Sequence, residues 1–224
     1  MPYRVTPLVT GEVYHVFNRS IARQPIFLTS KDFQRALDLT NYYNHLNPPI
    51  RFSHFNRLPI LLKNKVWENL IKENQKLVDI LAFCLMPNHI HFLIKEIKDN
   101  GITTFMRKFQ NSYAKYINAK TERTGSLFQS MFKAVRILTD EQLVHVARYI
   151  HLNPITSYMV KNIEQLKVYP WSSFPLYLDK NYSGLINTEE ILNSFKSRVE
   201  LIKFTEDQIS YQRELAKIKH LLFE

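Results

Sequence analysis

Cysteine is nearly absent from this 224-residue chain: Cys84 is its single copy. One cysteine excludes an internal disulfide framework and suits a reducing cytoplasm. It sits in the apolar run AFCL, where a buried free thiol is the plain reading. Glycine is scarce too, with 4 residues beside 10 prolines, so low-complexity linkers are not expected. No apolar run approaches the roughly 20 residues of a membrane span. The opening MPYRVTPLVTGEVYHVFNRS lacks the apolar stretch of a secretory signal. The expectation is a soluble cytoplasmic protein with no membrane partner. Acidic residues are also in deficit, 20 against 30 Lys and Arg, for a net charge of +10. That surplus favours a polyanion, because Lys and Arg replace the counterions around phosphates. Nucleic acid comes ahead of lipid, since neither terminus carries a strongly amphipathic basic helix.

What is present is core-forming material. Hydrophobic residues make up 45% of the chain, enough for one domain with decorations or two small ones. Twelve Tyr and fifteen Phe supply core and possible stacking platforms for unpaired bases. Residues 11–18 alternate as a strand, with Val13, His15 and Phe17 on one side and Tyr14 and Val16 on the other. Thr29 and Asp32 form a capping box ahead of a helix to about Tyr43. Residues 44–59, rich in Asn and Pro, read as a loop, with a short helix at 65–74. Two apolar runs, 78–85 and 90–94, flank the turn-forming Met86-Pro87-Asn88 and predict a hairpin. Helical spacing of Ile102, Phe105, Met106, Phe109, Tyr113, Tyr116 and Ile117 predicts a helix over 102–119. Residues 121–125 turn the chain and 132–137 read as a strand. Thr139 and Gln142 cap a helix to Asn153, with Pro154 expected to stop it. This order matches βαββαβ: an α+β, ferredoxin-like core with a four-stranded antiparallel sheet and two helices on one face. Further helices are expected at 188–195 and 207–222.

His89-Ile90-His91 opens the second hairpin strand, and residues two apart on a strand share a face. Two neutral imidazoles on a rigid strand can bind a divalent ion. A third ligand must come from elsewhere. On the 139–153 helix, Leu143, Val146, Ala147 and Ile150 form the buried stripe, and His145, Tyr149 and Asn153 form a neighbouring one at four-residue spacing. Asn153 offers an amide oxygen and His145 an imidazole; Tyr149 brings a hydroxyl. The chemistry such a set supports is phosphoryl transfer, in which the phenolate attacks phosphorus and leaves a 5′-phosphotyrosine and a free 3′-OH. His151 takes a structural reading, as do His15, His45, His54 and His220, which have no local partner.

MPNHIHFLI resembles the His-hydrophobic-His (HUH) motif of single-tyrosine transposases, and RYIHLNPI resembles their catalytic-tyrosine helix. YHVFNRS, RTGSLFQSMFKAV and YPWSSF also resemble segments of the REP-associated tyrosine transposases, in the right order between Tyr14 and Tyr177. Several linked motifs are far more specific than a lone HxH. The resemblance implies that Tyr149 is the nucleophile and that His89, His91 and Asn153 hold Mg²⁺ or Mn²⁺. It implies an enzyme that cuts and rejoins single-stranded or hairpin DNA at the ends of a mobile or repeated element. It leaves a homodimer open, since relatives build active sites within one subunit or across two. It also implies a catalytic domain over residues 1–178, interrupted by an insertion at about 44–76, and a C-terminal helical extension over 179–224. One departure is Met131, where an arginine is usual. Arg19, Arg23, Arg107, Lys108, Lys115, Arg123, Lys133 and Arg136 lie close in sequence to the motifs and are candidates for phosphate contacts. Two other readings compete: a non-catalytic regulator that holds structured DNA or RNA, and a metal phosphodiesterase that uses water.

Overall fold

The structure is a computed structural model that describes residues 7–182 and 184–214. Its centre is a four-stranded antiparallel sheet in the order β2-β3-β1-β4: β1 Val13–Arg19, β2 Val78–Met86, β3 His89–Glu96 and β4 Lys133–Arg136. With helices α1 (Ser30–Asn44), α4 (Gly101–Lys120) and α5 (Asp140–Thr156), the expected ferredoxin-like core is found. Helices α1 and α4 pack on each other and cover one sheet face. Helix α5 lies against β2 and β3.

Period-2 alternation explains the two faces. Val16 pairs with Phe92 and Tyr14 with Ile94, and these buried side chains meet α4 through ring contacts of Phe92 with Phe105 and Phe109. The alternate residues, His15, Phe17 and Arg19 on β1 with His89 and His91 on β3, face the other way. Strand β2 is an edge strand, yet nearly every residue in it is buried. Its open edge is covered by the YPWSS loop: Leu85 N–H donates to the Trp171 carbonyl at 2.8 Å, and Ser173 N–H to the Phe83 carbonyl at 2.9 Å. Farther along, Asn187 N–H donates to the Ile80 carbonyl at 2.8 Å. Covering an edge removes unpaired backbone groups and the risk of pairing with another chain. It also lets a continuous apolar run serve as an edge strand.

Three details depart from the sequence reading. The helix expected at 65–74 begins earlier, as α3 (Ile60–Glu73), and a short α2 (Phe52–Phe55) lies within the expected loop. Phe52 is buried under the Arg35 guanidinium, 4.4 Å from its ring, so tertiary packing orders this segment. Second, α5 runs through Pro154 to Thr156. Proline removes the N–H that would reach the Ile150 carbonyl. The Asn153 side-chain amide substitutes, donating to the Ile150 carbonyl at 3.4 Å and to the Tyr149 carbonyl at 2.9 Å. Third, the C-terminal region folds as α6 (Ile163–Leu166), α7 (Phe174–Leu178), α8 (Glu189–Leu192) and α9 (Arg198–Glu206). Helical backbone resumes over 209–214, and the rest of the helix expected at 207–222 lies outside the described residues. Ile186, Ile191 and Leu201 pack into the main core.

The capping of α1 and α5 follows the sequence. Thr29 and Asp32 form the reciprocal box. Thr139 Oγ1 accepts from Gln142 N–H at 3.1 Å, while Gln142 Oε1 accepts from Leu138 N–H at 2.8 Å. At the start of α4, Gly101 is required by a close approach, because a Cβ there would collide with the Leu77 carbonyl oxygen. Cys84 is free and fully buried, as expected. No described helix is long and apolar enough to cross a membrane.

Candidate active site

The α5 side of the sheet holds a cleft of about 610 Å³. His89 and His91 stand on β3, their rings 4.9 Å apart and nearly perpendicular. Tyr149 comes from α5 and meets His91 edge-on, at 5.8 Å and 88°. Asn153, one turn further along α5, neighbours His89 and favours its charged imidazole, the form with an N–H to give. Its amide nitrogen is already spent on the Tyr149 and Ile150 carbonyls. The oxygen Oδ1 is therefore the group it offers to His89.

Burial dominates the electrostatics. It depresses the His89 pKa to about 4, helped by the nearby Arg19 charge and opposed by Asn153. His91 lies well below its ordinary value, through burial first and then the neighbouring His89, His15 and Arg19. Both rings are neutral at pH 7 and keep a lone pair for a metal. The donor set fits a divalent cation on its own chemistry. His89 Nδ1 lies 2.6 Å from Asn88 Oδ1, an atom that only accepts. His89 therefore carries its proton on Nδ1 and leaves Nε2 bare. Bare Nε2 and the Asn153 oxygen are two acceptors on neighbouring groups, an arrangement a cation satisfies. Among the described residues, no group of three or more His, Cys, Asp and Glu side chains is placed to hold a metal. A cation here would rely on the amide oxygen and on outside oxygens.

The cleft is basic. Arg19, Lys133 and Arg148 line it, and among the described residues no carboxylate does. Burial raises the Tyr149 pKa, while Arg19 lowers it. Tyr149 keeps 37% of its surface exposed, enough to meet a substrate. Beneath α5, His151 Nε2 lies 2.9 Å from Ser173 Oγ, and Ser173 Oγ accepts from Phe83 N–H at 2.9 Å. His151 is fully buried and held neutral near pKa 3. It ties the tyrosine helix to the covered edge of β2, in keeping with its structural reading.

The candidate basic residues separate by place. Arg19 and Lys133 reach the cleft. Lys133 pairs with Phe17 and so shares the site face. Arg107, Lys108 and Lys115 lie on α4, against the opposite face, and Lys108 Nζ donates to the Leu46 carbonyl at 3.1 Å. Arg136 is held by Glu12 at 2.5 Å. Arg123 donates to the Ser126 carbonyl at 3.3 Å. Arg23 is exposed, in a left-handed turn whose carbonyl accepts from Asn88 Nδ2 at 3.0 Å. Met131 is exposed and Lys133, two residues on, lines the cleft. His145, the alternative imidazole on α5, turns to Arg148 at 2.6 Å and to the Phe204 ring.

Sequence reasoning missed two groups. His15 was given a structural reading for want of a local partner, yet its Nε2 lies 2.9 Å from His91 Nδ1. The error came from looking only locally; the β1–β3 register supplies the partner. The only signal in the chain was a polar ring on the same strand side as Phe17. Gln208, Tyr211 and Gln212 also line the cleft. They lie in a stretch without a motif, and only the return of the chain over α5 brings them there.

Comparison with known proteins agrees with this arrangement. Residues 59–153 match the model of a family described as "Transposase IS200 like". The match contains both histidines and the tyrosine, and ends on Asn153. The fold resembles that of a REP-associated tyrosine transposase solved with a REP hairpin bound. That likeness has a TM-score of 0.53 at 14% identity and covers 85% of this chain and 93% of that one. A candidate transposase from Deinococcus radiodurans R1 has 12% identity and a TM-score of 0.34, covering 66% of this chain and 95% of that one. No curated protein matches the chain. The match to an IS200-like transposase family over residues 59–153, together with the shared fold, agrees with the transposase resemblance read from the motifs.

Proposed function

We propose that this chain cuts and rejoins single-stranded or hairpin-bearing DNA, with Tyr149 as nucleophile. The observation that carries this reading is the meeting of two elements distant in sequence. Strand β3 brings His89 and His91, and α5 brings Tyr149 and Asn153, into one basic cleft that no carboxylate lines among the described residues. The REP hairpin bound to the structural neighbour supports a hairpin as the DNA form.

In the cleavage step the Tyr149 oxygen bonds to phosphorus and the bond from phosphorus to the 3′ oxygen breaks. The phenol proton is given up and the departing oxygen ends as a 3′-OH, so the step balances without a further reagent. The new phosphotyrosine is about as energetic as the bond it replaced, and the 3′-OH of another strand can reverse it. Burial opposes the phenolate, and the Arg19 charge favours it. Arg19 and Lys133 flank the site and would hold the phosphate against the hydroxyl. His89, His91 and Asn153 would hold Mg²⁺ or Mn²⁺, which when bound draws charge from the phosphate oxygens as it develops. Asn153 does double service, since its amide nitrogen fixes the backbone of Tyr149 itself.

The test is a covalent adduct. The full chain is incubated with Mn²⁺ and a library of labelled single-stranded oligonucleotides with hairpins, and resolved on a denaturing gel. A shifted protein–DNA band mapping to Tyr149 is expected. Cleaved product with no adduct would favour water as nucleophile, and binding with neither would favour a non-catalytic regulator.

A further inference from the structure

His15 stands on β1, across the β1–β3 pair from the histidines proposed as ligands. Its register partner is Leu93 and that of Phe17 is His91, so His15 and His91 are diagonal neighbours on one sheet face. Their rings stack at 5.1 Å and 19°. His15 Nε2 lies 2.9 Å from His91 Nδ1.

A hydrogen bond at that distance needs one proton between the two nitrogens. An imidazole that binds a metal does so in its neutral form, and a neutral His15 completes the pair. Each neutral ring has one N–H and one lone pair, so one ring donates and the other accepts. The two assignments differ in consequence. With the proton on His91 Nδ1, His91 keeps a bare Nε2. With the proton on His15 Nε2, His91 must be protonated on Nε2, and that nitrogen is lost to a metal. His89 shows which arrangement its neighbour requires. Asn88 Oδ1 can only accept, so the 2.6 Å contact commits His89 to a proton on Nδ1 and a bare Nε2. His91 has no such fixed acceptor on its own strand; His15 takes that place.

We infer that His15 is a positioning residue: it accepts the Nδ1 proton of His91 and so commits Nε2 of His91 to the metal. This rests on the metal reading proposed above. His15 itself would not touch the cation. Partners of this kind fix the ring orientation and tautomer of metal-binding histidines, and their loss typically costs 10–100-fold in metal affinity.

Two measurements on the full chain test it. Long-range proton–nitrogen NMR of the metal-free, ¹⁵N-labelled protein at pH 7 reads the His91 tautomer. Titration with Mn²⁺ alone, followed by electron paramagnetic resonance, reads affinity. The variants are His15→Leu, which has no acceptor, His15→Gln, whose amide oxygen can accept, and His89→Ala as a control on the site. The wild type is expected to carry its His91 proton on Nδ1. His15→Leu should move it toward Nε2 and weaken Mn²⁺ binding about 10–100-fold, and His15→Gln should restore most of both. A wild-type His91 protonated on Nε2 overturns the inference, as does a His15→Leu protein with wild-type tautomer and affinity. Should His15→Leu not fold, the wild-type tautomer and the His15→Gln affinity decide. Equal Mn²⁺ binding by wild type and His89→Ala sinks the metal reading instead. The tautomer, measured without metal, separates the two failures.

Discussion

The two faces of the sheet are made from the same strands and have opposite characters. Toward α1 and α4, β1 and β3 present Tyr14, Val16, Ile90, Phe92 and Ile94, all buried and all packed on helix side chains. Toward α5 they present His15, Phe17, Arg19, His89 and His91, which open on a cleft. One residue of register separates a core from a site. The apolar face fixes the strands, and the polar face inherits that rigidity for groups that must be placed to within fractions of an ångström. The site face carries a cost in return. It holds imidazoles out of water, and their depressed pKa values record that cost.

The sharpest way to break the comparison is to remove chemistry from one face and packing from the other. Tyr149→Phe should abolish the covalent adduct to background while thermal stability stays within about 0.5 kcal/mol, as for other partly exposed positions. A persistent adduct on the denaturing gel would remove Tyr149 from its proposed role. On the opposite face, Phe92→Ala should cost about 3–5 kcal/mol in urea unfolding, through lost burial and a cavity. The folded fraction of that variant should still form adduct. Loss of adduct per folded molecule would mean that the two faces are not separable.

Acid should act through the α5 side. His15 and His89 titrate near 4 and His151 near 3 in the folded chain, against 6.5 for a free imidazole. Between pH 6.5 and about 4 the unfolded chain therefore binds more protons than the folded one, and stability falls as pH falls. Each such histidine contributes a slope of at most about 1.4 kcal/mol per pH unit across that window. Urea midpoints measured from pH 7.5 to 4.5 should drop accordingly, and His151→Phe, if folded, should flatten the drop. A midpoint that does not change over this range would contradict the buried neutral state. The smallest effect concerns DNA contacts. Lys133→Ala should lower the slope of log affinity against log salt by about 1 for hairpin DNA, whereas Lys115→Ala, on the α4 face, should leave it unchanged. Equal effects from both lysines would mean that DNA wraps the whole sheet rather than following the cleft.

Much of this was legible locally. The alternation in VYHVF, the two apolar runs around Met86-Pro87-Asn88 and the spacing from Ile102 to Ile117 specify strands and helix by period alone. The histidine pair could be assigned to one face because strand geometry leaves no alternative. Helical spacing likewise set Asn153 one turn from Tyr149. The Pro154 boundary was misread because local rules cannot see that the preceding side chain supplies the missing donor. Segment 44–59 looked like a loop because its order comes from the Phe52 contact with Arg35, made across to α1.

The sequence by itself determined the elements, their order and the residue types that chemistry requires, since these follow from short-range periodicity and side-chain chemistry. Tertiary structure decided which of those residues meet. The β1–β3 register gave His91 a partner in His15, and the packing of α5 on β2 and β3 set Tyr149 and Asn153 against the histidines. It also divided the lysines and arginines between cleft and far face. Those outcomes depend on contacts between positions many tens of residues apart, and no local pattern of side chains encodes them.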